Sequence, residues 1–336
     1  MRPCHFLLLF ETNHTNADDF RGNGQTPQGQ RTGAAGPAEP TQHDLTKDEG
    51  EAVKDSTTVA TDIANETIEI ATLPEITLRI VQVVQDPRST AHDLHKIVRN
   101  DPALSARVLR VVNSAFYGLP GQIGSIDRAI MLLGLNAVKN IAIAASLSKM
   151  FKQPPRCDEL TGKDLWTHCV AVGAANKLIT SAIGLELPDE SFLCGLIHDI
   201  GLVAVMQSRG SAIPELVAQA KPGPSFAHAE AQVVGATHPQ IGMALAALWK
   251  FPRSFQYVAG YHHTPTNLAR ENRLLAVVTH VADVLCVQKN LGLGLHVDSE
   301  EVNPAFLDEI GLTNEQLNDV SDRIEEELEI VRSLIE

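Results

Sequence analysis

The stretch Asp189-Glu190-Ser191-Phe192-Leu193-Cys194-Gly195-Leu196-Ile197-His198-Asp199-Ile200-Gly201-Leu202-Val203-Ala204-Val205-Met206-Gln207 decides how the chain is read. It is apolar over most of its length and lacks the alternation of a half-buried strand, so its pattern predicts a helix over 189–207. The adjacent pair His198-Asp199 interrupts the apolar run. Gly201 is expected to let the helix end there, so that neighbouring side chains converge. Similar helical patterns flank it at 164–183, 238–249, 253–262 and 272–289, and none reads as a confident strand.

Ionisable residues recur on the inward faces of those helices. His168 lies on the side of Leu165, Val172 and Ala175, and His262 stands four residues after Val258 and seven after Phe255. His263 is turned about 100° away, so His262 is taken as the inward residue. Asp283 interrupts the apolar run from Leu274 to Cys286, and His238 precedes Pro239. Six residues therefore form the candidate set: His168, His198, Asp199, His238, His262 and Asp283. Singly, each has a plainer reading. An inward His is more often a hydrogen-bonded core residue than a ligand, Asp283 could pair with His280 one turn earlier, and His238 could sit in a first turn capped by Thr237. Together, imidazoles and carboxylates suit a first-row transition metal such as Fe, Mn or Zn, and burying them unpaired would be costly.

Upstream, Asp101 followed by Pro102 predicts a helix start, with Leu104, Val108, Val111 and Val112 at helical spacing. Asn113 to Gly121 reads as a loop, Ser125 opens another helix, and Gly134 divides two apolar segments. The prolines of Gln153-Pro154-Pro155-Arg156 mark a break between lobes. Residues 1–65 read as a disordered arm, because the segment is rich in Asn, Thr, Gly, Gln, Pro and acidic residues. The expected organisation is thus an arm (1–65), a helical N-terminal lobe (66–152), a second helical lobe (153–290) and an acidic helical tail (291–336). In that tail Leu317, Val320, Ile324, Leu328, Val331 and Ile335 make one apolar stripe, opposite a face expected to be solvated.

The 336 residues are 44% hydrophobic, enough for a sizeable core. Acidic residues outnumber basic ones by 41 to 27, for a net charge of −14. Thirteen acidic and two basic residues lie between Asp298 and Glu336, leaving only −3 for everything before them. A broad phosphate-attracting surface is not expected. Arg99, Arg107, Arg110, Arg128 and Lys139 are too sparse for a basic face. Five scattered cysteines, Cys4, Cys157, Cys169, Cys194 and Cys286, form no CxxC pair and suggest a reducing compartment. Met1–Phe10 lacks the cleavage site of a signal peptide, and no segment reaches the length of an apolar membrane span, so a cytoplasmic location is expected.

The ordered set His, His-Asp-Ile-Gly, His-Pro-x-x-Gly, His-His, Asp resembles the HD superfamily of metal-dependent phosphohydrolases, especially the HD-GYP branch. The preceding lobe resembles the HDOD domain, an HD-related output domain of bacterial regulators, through Leu73-Pro74-Glu75, Asn100-Asp101-Pro102-Ala103-Leu104, Asn113-Ser114-Ala115-Phe116-Tyr117-Gly118 and Ala129-Ile130-Met131-Leu132-Leu133-Gly134. The two resemblances cover about residues 68 to 290. They imply an all-α fold in which a helical N-terminal lobe packs on an HD-like bundle. They also imply one or two divalent metal ions held by the six residues. Two departures weigh against cyclic dinucleotide hydrolysis: Leu202 stands where HD-GYP enzymes carry Lys, and Thr264-Pro265-Thr266-Asn267 replaces the Gly-Tyr-Pro segment. The resulting expectation is a regulatory module that acts through signalling proteins in trans, with no nucleic acid or membrane as partner. The alternative is a metal-dependent phosphohydrolase acting on a nucleotide or cyclic dinucleotide, with Asp199 as its catalytic residue.

Overall fold

Side-chain capping sets the helix starts of the N-terminal half. Asp101 Oδ1 accepts from the backbone N–H of Leu104 at 2.9 Å, and Pro102 occupies the first helical turn. Ser125 Oγ accepts from Arg128 N in the same way. In this computed structural model the described residues run from 55 to 331, except 71–75, 77–78, 81, 84–85, 87, 115–116, 153–156, 221–224 and 294–300. The expected arm up to residue 54, the break at 153–156, the segment 73–75 and Ile335 therefore lie outside the described residues.

The helices are α1 (Ser56–Ile70), α2 (Ala91–Arg99), α3 (Pro102–Val112), α4 (Ile126–Leu133), α5 (Leu135–Leu147), α6 (Gly162–Ala182), α7 (Pro188–Ile197), α8 (Ile200–Ser208), α9 (Ile213–Ala220), α10 (Phe226–Val233), α11 (His238–Leu248), α12 (Arg253–Tyr261), α13 (Leu274–Gln288), α14 (Pro304–Ile310) and α15 (Asn314–Val331). No strand occurs among the described residues, so the fold is all-α as expected. Helices α2–α5 pack together, and α5 rests on α7 of the second lobe. The loop after α3 is held by Asn113, which donates to the carbonyls of Leu109 and Ile123 and accepts from Ile123 N at 2.6 Å. Tyr117, in that loop, donates its hydroxyl to Asp189 of α7 at 3.2 Å.

One apolar core runs from α1 and α2 through Leu165, Cys169 and Leu193 to Phe255 and Val258. A second lies on the opposite side of α6, where Ala171, Val172, Ala175 and Ile179 meet Val278, Val281 and Ala282 of α13 and Val320 and Ile324 of α15. Helix α6 is therefore apolar almost all round.

Five expectations are corrected. The first concerns the arm. Residues 56–65 are helical within α1, which buries Ala60, Ile63 and Ala64 and packs on α8 and α11. The apolar residues at helical spacing within a polar stretch account for it. The second concerns the helix over 189–207, which is interrupted at His198-Asp199, with Asp199 at φ −97° and ψ 20°. The third concerns Gly201, which lies within the first turn of α8 and does not end the preceding helix. A Cβ there would meet the His238 carbonyl oxygen at 2.0 Å, so the residue serves the close approach of α8 and α11.

The fourth concerns the acidic face of the C-terminal stretch, which is not wholly solvated. Lys177 Nζ lies 3.0 Å from Glu327, whose side chain is only 15% exposed, and Lys289 Nζ lies 3.5 Å from Glu325. Contrary to the expectation that no segment reaches such a length, Asp189–Ser208 is, among the described residues, long and apolar enough to cross a membrane by length and composition, but it is mostly buried within the fold. Two of the scattered basic residues have structural roles: Lys139 is buried with Nζ on Ser89 Oγ, and Arg107 Nε donates to the Ala145 carbonyl.

Candidate metal centre

Each of the six expected residues is placed by a helix or its end. His168 comes from the second turn of α6, His198 and Asp199 from the break between α7 and α8, and His238 from the first turn of α11. His262 follows the last turn of α12, and Asp283 comes from the middle of α13. All six are fully buried and all six converge. His168 Nε2 lies 3.0 Å from Asp283 Oδ1. Asp199 stands between the others, with Oδ2 3.3 Å from His198 Nε2 and Oδ1 3.3 Å from His238 Nε2 and 3.4 Å from His262 Nε2.

The donor atoms form two groups whose members lie within 4.8 Å of one another: His168, His198 and Asp283 in one, and Asp199, His238, His262 and His263 in the other. His263 joins the site although a helical step of about 100° from His262 predicts otherwise. His262 keeps helical backbone angles (φ −60°, ψ −28°) but the helix goes no further, and His263 Nε2 reaches 3.1 Å from His238 Nε2. The adjacent histidine pair was the sequence signal that could have found it. Asp283 does not pair with His280, whose Nδ1 donates to the His262 carbonyl at 2.8 Å.

A second feature was not legible in the sequence. The Nδ1–H of His168 donates to the Leu291 carbonyl at 3.2 Å, that of His198 to Gly195 at 2.7 Å, and that of His262 to Val258 at 3.0 Å. His238 Nδ1 faces Glu230 Oε2 at 2.8 Å. A carbonyl oxygen can only accept, so these contacts fix the proton on Nδ1 and turn Nε2 toward the carboxylates. Outer hydrogen bonds of this kind orient metal-ligating histidines.

The electrostatics differ from ring to ring. Burial pushes the His262 pKa down to about 4, despite its Asp199 contact, so its ring is neutral and Nε2 carries a lone pair. Burial alone would also lower His198, but the neighbouring Asp199 carboxylate, helped by Asp283, raises it overall. Burial opposes ionisation of Asp283, yet the His168 hydrogen bond and charge hold it well below the usual carboxylate range. Nε2 of His198, Nε2 of His262 and Oδ2 of Asp283 are buried without a hydrogen-bond partner. Nε2 of the neutral His262, 3.4 Å from Asp199 Oδ1, would be repelled by that oxygen unless a cation lay between them, and ligands to one ion at about 2.0–2.2 Å stand within roughly 3–4 Å of each other. The residues therefore fit first-row divalent ions. Leu202, in place of the HD-GYP lysine, is fully buried in the core.

Comparison with known proteins agrees with this architecture. The sequence model of the HDOD domain matches residues 70–265. An HDOD domain protein of unknown function from Geobacter sulfurreducens superposes with a TM-score of 0.70 at 25% identity, over 83% of this chain and 97% of that one. A candidate signal transduction protein from Marinobacter aquaeolei VT8 has the same fold, with a TM-score of 0.68 at 22% identity over 87% of this chain and 69% of that one. An uncharacterized protein of Treponema pallidum (strain Nichols) is 27% identical over 228 residues, 66% of this chain. The chain spans only 42% of that relative's length. Since the matched segment is more than half of the sequence and contains five of the six expected site residues, the chain belongs to the HDOD domain family.

Proposed function

We propose that this chain is a regulatory HDOD module that holds one or two divalent transition-metal ions and acts mainly through contacts with signalling proteins in trans. The observation that carries the reading is the closure of the site. His168, His198, Asp199, His238, His262 and Asp283 have 0% exposure, and the His263 side chain, at 14%, is the one cluster member that reaches solvent. A closed site suits ions held for structure or state. It does not suit rapid exchange of a phosphate ester, and Leu202 offers no cation to such a substrate.

His168, His198 and Asp283 would hold one ion, and His238, His262 and His263 a second, with the two Asp199 oxygens directed one to each group. The histidines present Nε2, and their Nδ1 partners keep the rings in place.

The shared Asp199 favours a second reading, a metal-dependent phosphohydrolase acting on a nucleotide or cyclic dinucleotide. Paired ions would there neutralise phosphate charge and activate water. Asp199, in contact with both groups, would be the residue whose loss abolishes turnover. Metal analysis of protein purified without chelator, followed by assays on cyclic dinucleotides and phosphomonoesters, separates the two. Bound metal with no turnover is expected. Turnover on the order of 1 per second or faster, lost in Asp199→Ala, would replace the regulatory reading with the enzymatic one.

A further inference from the structure

Of the four histidines first expected in the site, His168, His198 and His262 have their Nδ1–H held by backbone carbonyls. Helix geometry supplies two of these, because His198 and His262 bond carbonyls three and four residues earlier. His238 has no such carbonyl, for it is the first residue of α11 and the preceding turn is not helical. Its partner is Glu230, a fully buried carboxylate on α10. Glu230 Oε2 accepts from the His238 backbone N–H at 3.0 Å and faces its Nδ1 at 2.8 Å, and Oε1 is buried without a hydrogen-bond partner. An oxygen that already accepts the backbone N–H is suited to accept the ring N–H as well.

From this geometry we infer that Glu230 is the positioning residue of the second metal group, fixing His238 as the Nδ1–H tautomer so that Nε2 points to Asp199, His262 and His263. The inference rests on the metal-holding reading. A buried carboxylate is costly unless positive charge lies near it. Both hydrogen bonds of Glu230 run to His238, so the charge that offsets it must come through that ring. A cation on Nε2 supplies it, and the carboxylate in turn makes the imidazole a stronger donor.

Two measurements on the full chain test this. In metal-free, nitrogen-15-labelled protein, long-range proton–nitrogen spectra report the tautomer of each histidine, with His238 assigned by its absence in His238→Gln. His238 should be protonated at Nδ1 in the parent and in Glu230→Gln, which keeps an acceptor, and should lose that preference in Glu230→Ala. Calorimetric titration with zinc ion should show Glu230→Ala weakening one binding step by about 10–100-fold, while the step carried by His168, His198 and Asp283 holds. Nδ1 protonation that persists in Glu230→Ala, or equal weakening of both steps with a lowered melting temperature, would overturn the role. A parent protein that takes up no zinc would instead overturn the metal-holding reading, and the spectra would still decide whether Glu230 sets the tautomer.

Discussion

His168 Nε2 and Asp283 Oδ1, 115 residues apart in sequence, meet at 3.0 Å in a fully buried contact. The contact has a companion, because Asn176 donates to Thr279 Oγ1 at 3.0 Å. Moving forward along α6 thus means moving backward along α13, and the two helices run antiparallel with the histidine and the aspartate in register. Removing one member of a buried pair leaves the other uncompensated. Asp283→Ala should therefore cost about 3–5 kcal/mol in metal-free protein, and Asp283→Asn distinctly less, as read by urea unfolding. Equal, small losses in both variants would show that the pair contributes little to the fold.

Gly201 makes a sharper test of how the centre is assembled. A Cβ at this position would lie 2.0 Å from the His238 carbonyl oxygen and 2.8 Å from Gly242 N, both backbone atoms that cannot swing aside. Gly201→Ala should push α8 from α11, cost about 1–3 kcal/mol or more, and weaken metal uptake. Gly124→Ala, where nothing lies within 4 Å, serves as the tolerated control. Melting curves and metal content of the two variants should differ clearly.

Helix α1 is part of the folded unit. Ile63 is fully buried in the main core, and Arg209 donates to the Glu66 carboxylate, one bond being 2.9 Å. Ile63→Ala should cost about 2–5 kcal/mol. An unfolding free energy unchanged in this variant would mean that α1 is not docked in solution.

Asp189 supplies a pH signature away from the centre. Burial raises its pKa above the ordinary 3.8, although the Tyr117 hydroxyl and Lys177 pull it down. The folded state therefore binds this proton more tightly than the unfolded state does. Its contribution to stability is greatest below pH 3.8 and is lost as pH rises through the folded value. Asp189→Asn should accordingly melt higher than the parent at neutral pH, and the difference should close below the ordinary carboxylate value. A difference that persists or reverses in acid would refute the assignment.

Much of the architecture was legible because helix starts and apolar stripes are local. Asp101, Ser125, Gly134 and the α13 pattern each declare themselves within a few residues. The break between α7 and α8 was less legible, because an apolar run with two polar residues reads as continuous until the partners of His198 and Asp199 are known. Helix α1 was missed for a related reason: few apolar residues in a polar context carry little signal until the surfaces of α8 and α11 are there to receive them.

The helical class, the order of the ionisable residues and their inward placement can be read along the chain, since periodicity sets which side of a helix a residue occupies. Which of them meet depends on long-range packing. It joined His168 to Asp283 and set Asp199 between two groups, brought His263 in beyond the end of its helix, and put Glu230 behind His238. Those outcomes depend on close packing between segments far apart in the chain, down to a single missing Cβ at Gly201, and no local pattern encodes such a contact.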